Sequence, residues 1–114
     1  MGAANVMDTL TDRRYALEDT LKVKVMKWLS VQPDIYYWKA SDRYTKGVSD
    51  IIACVNGWFV AAELKADDGE ATPHQDLFIM CVNKAKGVGG VCYCLQDVID
   101  LVNEARRRSG ANAF

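Results

Sequence analysis

Residue types that build many common active sites are scarce in this chain. It has one histidine and four cysteines, with no CxxC pair among them. A zinc site or a histidine-activated nucleophile needs partners that this composition lacks, so His74 is expected to be an exposed residue at a helix start. The cysteines lie in apolar segments, which favours free thiols in the core of a cytoplasmic protein over disulfides or zinc ligands. They are Cys54, Cys81, Cys92 and Cys94.

Long apolar runs and an excess of either charge are missing as well. No apolar run approaches the roughly 18 residues that cross a bilayer, and the N-terminus lacks the basic-then-apolar order of a signal peptide. The net charge of −1 neither supports nor excludes a nucleic-acid partner, so phosphate binding would depend on local patches or metal ions. Half of the 114 residues are apolar and a quarter are charged, which predicts one globular domain over residues 1–114.

The first half of the chain is predicted to form a helix followed by three strands. Apolar residues at spacings of three and four predict an amphipathic helix over about residues 12–30. Aromatic and β-branched residues predict a strand over residues 35–39, followed by a polar loop. Two further strands, residues 50–55 and 58–65, flank an Asn-Gly pair, which favours a type I′ hairpin because both residues accept positive φ.

The second half is predicted to form a helix, a strand and a last helix. Thr72 is a good N-cap, a proline follows it, and Gln75 completes a capping box. This helix should end near Gly87, before a strand over residues 88–95. Asp97 is predicted to cap the last helix, whose terminal arginines match the helix dipole better than they suggest a DNA patch; these are Arg106, Arg107 and Arg108. The predicted order, α-β-β-β-α-β-α, is that of an α/β fold with a mixed sheet flanked by helices.

The hairpin register places three charged residues on one face of the sheet. If the Asn-Gly pair forms the turn, Val55 faces Trp58, and counting outward puts Asp50 opposite Glu63. Directly opposed residues have Cβ atoms about 4.5–5.5 Å apart, and Lys65 shares their face because side chains alternate along a strand. Two facing carboxylates destabilise a strand pair unless a cation lies between them, and Mg²⁺ prefers such oxygen ligands. Neutralisation by Lys65, or a slipped register with solvated charges, explains the pattern equally well.

Asp50 and the ELK tripeptide at residues 63–65 resemble the PD-(D/E)xK nuclease signature. The longer series GVSDII, an Asn-Gly turn, ELK, Gly69 and Gln75 resembles the virus-type replication-repair nuclease (VRR-NUC) family over about residues 17–97. The resemblance implies a restriction-endonuclease-like core. It also implies a DNA endonuclease that depends on Mg²⁺ or Mn²⁺.

The resemblance assigns roles to residues of the hairpin. Asp50 and Glu63 would bind the metal ion, helped by the main-chain carbonyl of Leu64. Lys65 would position or deprotonate the attacking water, or stabilise the phosphate at the transition state. A simple salt bridge to Glu63 is the alternative for Lys65.

Two residues outside the hairpin have a catalytic and a structural interpretation each. Gln75 matches a family glutamine that would contact the metal-bound water or a phosphate, but its place in a capping box explains it equally well. Glu18 is the candidate third carboxylate for the metal ion. The alternative for Glu18 is an exposed i,i+4 pair with Lys22, and Asp19 takes its place if the helix face is off by one residue.

The loop before Asp50 differs from the family at one position and contains two candidate DNA contacts. Ser49 stands where the family usually has proline, which is expected to loosen this segment without removing chemistry. Arg43 and Lys46 are expected to meet DNA phosphates, because polar loops beside a site often bind ligands. A solvated loop is the alternative.

Stand-alone members of the family resemble Holliday-junction resolvases, which implies a phage-encoded homodimer acting on branched DNA such as four-way junctions. It would work in the cytoplasm of the bacterial host. A chain of this length is expected to read DNA shape rather than sequence. The alternatives are a nuclease for flaps, nicks or DNA ends, a DNA-binding module that does not cut, and a structural dimerisation domain.

Overall fold

A computed structural model describes residues 11–40 and 47–110 of the chain. Within these ranges, helices and strands follow the predicted order α-β-β-β-α-β-α, so the predicted α/β fold class is confirmed. The elements are α1 (Glu18–Ser30), β1 (Ile35–Lys39), β2 (Ile51–Val55), β3 (Trp58–Leu64), α2 (Pro73–Lys84), β4 (Val88–Cys92) and α3 (Leu95–Arg108).

The described strands form one mixed sheet in the order β1-β2-β3-β4. The strands β1, β2 and β3 pair antiparallel, whereas β3 and β4 pair parallel. Parallel neighbours need a crossover connection, and α2 supplies it. Helices therefore lie on both faces of β4: a Cβ on Gly89 would lie 3.4 Å from Val82 of α2, and one on Gly90 would lie 3.2 Å from Leu101 of α3.

The main core lies between one face of the sheet and the helices α1 and α3. Apolar residues three or four apart on each helix pack against alternate residues of the central strands, as the period of each element requires. These buried residues are Leu21, Val25 and Leu29 of α1, Val98, Val102 and Ala105 of α3, Ile51, Ala53 and Val55 of β2, and Val60, Ala62 and Leu64 of β3.

The first helix begins at Glu18, about six residues later than predicted. Residues 11–15 instead run beside the start of α3, where Arg14 forms an isolated bridge with Cys94 and the main-chain N–H of Gln96 donates to Thr11 O at 2.6 Å. Tyr15 is buried in the core, whereas Leu17 is 67% exposed. Long-range contacts therefore override the helical spacing in this segment.

Smaller differences occur at the other element ends. The capping box of Thr72 and Gln75 is confirmed, with both reciprocal hydrogen bonds present. Asp97 is not the N-cap of α3: it lies in the first turn, and its carboxylate accepts the main-chain N–H of Tyr93 at 2.8 Å. The strand β4 ends at Cys92 because that turn draws the chain into α3.

All four cysteines are free thiols, as predicted, but only two of them are buried. Cys92 and Cys94 lie in the core, while Cys54 and Cys81 are exposed, so the prediction of core thiols is wrong for the latter pair. Cys54 points to the sheet face opposite the main core, beside exposed Tyr36 of β1. Across residues 11–40 and 47–110, no helix has the length and apolar content to cross a membrane.

Candidate active site

The β2–β3 hairpin fixes the position of the predicted site. Its turn residues Asn56 and Gly57 have φ values of 49° and 89°, the positive values that a type I′ turn requires. Val55 pairs with Trp58, and the same register continues to the far end of the strands, so the predicted register is confirmed. The pairing ends at Ile51 and Ala62, so Asp50 and Glu63 are the next residues beyond it on the two strands.

The carboxylate of Asp50 is held by the neighbouring strand and by α1. Its Oδ2 accepts a hydrogen bond of 2.8 Å from the main-chain N–H of Leu64. Its Oδ1 lies 3.6 Å from the ammonium of Lys22, and both side chains are mostly buried, with 16% exposure for Lys22 and 13% for Asp50. These contacts fix Asp50 close to Glu63, whose pKa its negative charge helps to raise.

Glu63 is a buried acid with an unsatisfied oxygen. Its residue is 1% exposed, and Oε2 has no hydrogen-bond partner. Burial raises the pKa of Glu63 to about 7, the negative charge of Asp50 adds to the rise, and the ammonium of Lys65 opposes it. A buried carboxylate oxygen without a donor, next to a second carboxylate, is an arrangement that a cation would stabilise.

Lys65 lies between two acids. Its Nζ is 4.0 Å from Oε1 of Glu63 and 3.9 Å from Oε1 of Glu18, and the side chain is only 12% exposed. The following turn, closed by a 2.9 Å hydrogen bond from the N–H of Gly69 to the carbonyl of Ala66, packs on the stem of Lys65. A Cβ at Gly69 would lie 3.1 Å from that stem, so the small residue leaves room for the lysine.

The first turn of α1 reaches the same cluster. Glu18 and Lys22 are one turn apart, yet Glu18 pairs with Lys65 and Lys22 pairs with Asp50 across to the hairpin. The structure thus brings Glu18 to the predicted site instead of into the i,i+4 pair. Lys22 was missed as a site residue; the only signal for it in the sequence was its spacing from Glu18. Asp19 is exposed.

The other predicted site residues make different contacts or lie outside the described residues. The side chain of Gln75 is engaged in the capping box, where its Oε1 accepts the N–H of Thr72 at 2.8 Å. His74 is exposed at the helix start, as predicted. Arg43 and Lys46 lie outside the described residues.

The residue before Asp50 is buried. Ser49 is fully inaccessible, and its hydroxyl has no hydrogen-bond partner. A hydroxyl at this position therefore adds no interaction that would fix the segment. The expectation that serine loosens this segment relative to proline stays a prediction.

The arginines at the end of α3 are held by acids far from the hairpin's open end. Arg106 makes a two-pronged contact with Asp34, at 2.8 Å to Oδ2 and 2.7 Å to Oδ1. Arg107 and Arg108 both pair with Glu104. These contacts favour the structural explanation of the arginine trio.

The acids of the cluster fit an open two-carboxylate metal site. Among the residues that the structure describes, no group of three or more His, Cys, Asp or Glu side chains is arranged to hold a metal ion. Mg²⁺ in proteins typically takes one or two carboxylates and keeps several waters, which Asp50 and Glu63 could satisfy without a third acid. The oxygen-only donors and the unsatisfied Oε2 of Glu63 suit such a hard cation.

Comparisons with known proteins identify the fold. No family model matches the sequence, and no curated protein matches it. A solved structure described as a VRR_NUC domain is similar to this chain, with a TM-score of 0.63, 17% sequence identity, and coverage of 75% of this chain and 94% of that chain. At that identity the similarity establishes the architecture: the chain has the fold of a VRR_NUC domain.

Proposed function

We propose that this protein is a metal-dependent, structure-selective DNA endonuclease that hydrolyses phosphodiester bonds in branched DNA such as Holliday junctions. The observation that carries the proposal is the approach of two acids, Asp50 and Glu63, beside the ammonium of Lys65 at the open end of the hairpin. The VRR_NUC fold supports it independently.

Asp50 and Glu63 would hold Mg²⁺ or Mn²⁺, together with the main-chain carbonyl of Leu64. The unsatisfied buried Oε2 of Glu63 supports this assignment, because an unpaired buried carboxylate is costly without a cation. When bound, such an ion makes a coordinated water more acidic and offsets negative charge on the scissile phosphate. The hydrogen bond from Leu64 holds Asp50 for this task.

Lys65 would orient the attacking water and stabilise charge on the phosphate. An ammonium is a hydrogen-bond donor with no acceptor, which suits contact with phosphate oxygens. The carboxylates of Glu18 and Glu63 hold the Lys65 ammonium at the site before substrate binds, and the side chain is only 12% exposed. Preorganised charge of this kind is a large contributor to catalysis.

Glu18 would position Lys65 rather than bind the metal ion. Its carboxylate is 44% exposed and lies near the ammonium of Lys65. The Glu18→Gln variant should therefore lower the cleavage rate while Mn²⁺ affinity, measured by calorimetry, stays within about twofold of the wild type. A loss of Mn²⁺ affinity of tenfold or more, about 1.4 kcal/mol, would make Glu18 a third metal ligand instead.

The choice of branched DNA as substrate and of a homodimer as the active form rests on the resemblance of the sequence to stand-alone VRR-NUC members. Symmetrical cutting of two strands calls for two sites related by a twofold axis, which a homodimer provides. Arg43 and Lys46, which precede Asp50 in the chain, would contact phosphates. Gln75 would contact a phosphate only after leaving its capping box.

The test is cleavage of labelled four-way junctions, flaps and plain duplex with Mg²⁺, Mn²⁺ or EDTA. The wild type should nick the junction symmetrically with metal, and Asp50→Asn should not cut. Asp76→Asn, which removes an exposed acid from α2, should cut normally. Preferential cutting of flaps or ends would favour the alternative nuclease activity. Binding without cutting would favour a non-cutting DNA-binding module, and neither binding nor cutting would favour a dimerisation domain.

A further inference from the structure

Lys22 is a second ammonium at the candidate site. It comes from α1, and its Nζ lies 3.6 Å from Oδ1 of Asp50. Its side chain is only 16% exposed. By contrast, Lys27 on the same helix is exposed. A lysine that buries its stem to reach one carboxylate is held at the site by that acid.

The ion pairs of the cluster cross between the helix and the hairpin. Glu18 of the helix pairs with Lys65, and Lys22 pairs with Asp50. With Glu63 included, three carboxylates face two ammoniums, which leaves a net charge of −1 when all are ionised. A divalent cation would change this to +1, and a phosphodiester, which carries one negative charge, would bring the cluster to neutrality.

The pairing of Lys22 with Asp50 should weaken when a divalent cation shares Asp50. The Lys22 ammonium and the cation would then lie close to the same carboxylate and repel one another. A lysine is a flexible point charge on a four-carbon stem, so it can turn to another anion nearby. The anion that the proposed nuclease function brings there is a DNA phosphate.

We propose that Lys22 is a phosphate-binding residue that leaves Asp50 for the DNA backbone when a divalent cation occupies the site. This inference rests on the proposed nuclease function and assigns to it a substrate contact beyond the hairpin. Without Lys22, the cluster with its divalent cation would have no net charge before DNA binds. It would then attract the negatively charged phosphate less strongly than the cluster of net charge +1.

The test is the salt dependence of DNA binding in Ca²⁺, a hard cation that takes the same oxygen ligands. A lost phosphate contact lowers the slope of log affinity against log salt by about 0.9 on duplex DNA. Lys22→Met should therefore show that smaller slope and about tenfold weaker binding at moderate salt. Lys22→Arg, which keeps the charge, should restore the slope, and Lys27→Met should match the wild type.

Calorimetry with Ca²⁺ alone supplies a readout that a purely structural role would not give. Because Lys22 competes for Asp50, the Lys22→Met protein should bind Ca²⁺ at least as tightly as the wild type. Lys22→Gln is a second neutral variant, and its amide keeps a hydrogen-bond donor for Asp50. If Lys22→Met fails to fold, the salt dependence of DNA binding by Lys22→Gln tests whether Lys22 contacts a phosphate.

Three results would overturn the inference: a wild-type slope in both neutral variants, an equal fall in Lys27→Met, or weaker Ca²⁺ binding by Lys22→Met. A different result would show that the proposed nuclease function itself is wrong: the wild-type protein would then bind no DNA in Ca²⁺.

Discussion

Asp50 accepts a 2.8 Å hydrogen bond from the main-chain N–H of Leu64, the residue that directly follows Glu63. The bond crosses from one arm of the hairpin to the other and ties the first acid to the strand that carries the second. At the opposite end of the hairpin, the two-residue turn of Asn56 and Gly57 sets the register of β2 against β3. The closeness of the two acids is therefore a property of the backbone.

Removing the charge of Glu63 should stabilise the metal-free protein. Burial, and then the charge of Asp50, raise the pKa of Glu63 from 4.5 to about 7 on folding. A raised carboxyl pKa contributes stability that is fully present below about pH 4.5 and is lost as the pH rises through about 7. In EDTA at pH 8, Glu63→Gln should thus unfold with a free energy higher by on the order of 2 kcal/mol.

This gain should shrink as the pH falls towards 4, where the wild-type acid is protonated in both states. Urea unfolding at several pH values measures it, with Glu70→Gln, at an exposed position, as the control. A Glu63→Gln protein that is less stable than the wild type at pH 8 would contradict the conclusion that the buried charge of Glu63 destabilises the metal-free protein.

Asp34→Asn should destabilise the fold and leave the site intact. Arg106 holds the pKa of Asp34 below its usual value through two hydrogen bonds, and the Asp34 side chain is 1% exposed. A lowered carboxyl pKa gives stability above about pH 4 that is lost as the pH falls through the folded-state pKa. We expect a loss of about 2 kcal/mol at pH 7 that narrows in acid.

Cleavage by folded Asp34→Asn should equal that of the wild type, because this ion pair lies at the turn end of the hairpin, where Asp34 O accepts the N–H of Asn56. Thermal unfolding between pH 3 and 8 checks the stability. If the stability lost in Asp34→Asn stays constant down to pH 3, the charge of Asp34 is not what stabilises the wild type.

Ser49→Ala should make the protein more stable. The Ser49 hydroxyl is buried without a hydrogen-bond partner, and such a group costs about 1–3 kcal/mol. Removing it should raise the melting temperature by about 3–5 °C for each kcal/mol of stability gained. Ser30→Ala, at an exposed position, serves as the comparison and should change it little. A lower melting temperature for Ser49→Ala would mean that the hydroxyl has a partner.

The sequence was sufficient for the hairpin because its determinants are local. Asn56 and Gly57 select the turn, and alternation along the paired strands then assigns their side chains to the two faces of the sheet. The order of helices and strands followed from periodicity for the same reason.

Features set by contacts distant in sequence could not be predicted. The start of α1 depends on the bridge between Arg14 and Cys94. Whether Lys22 meets Glu18 or Asp50 depends on how the first turn of α1 packs against the hairpin. Cys54 has the apolar neighbours of a core residue, yet its side of the strand is exposed.

The most direct test of the central claim compares cleavage and binding of a four-way junction by the wild type and Lys65→Ala in Mn²⁺. If Lys65 assists catalysis at a metal held by Asp50 and Glu63, the wild type will nick the junction symmetrically. Lys65→Ala will then cut at least about 100-fold more slowly and still bind the DNA. Cleavage at the wild-type rate by Lys65→Ala, or a wild type that cuts no DNA in either Mg²⁺ or Mn²⁺, would contradict the account.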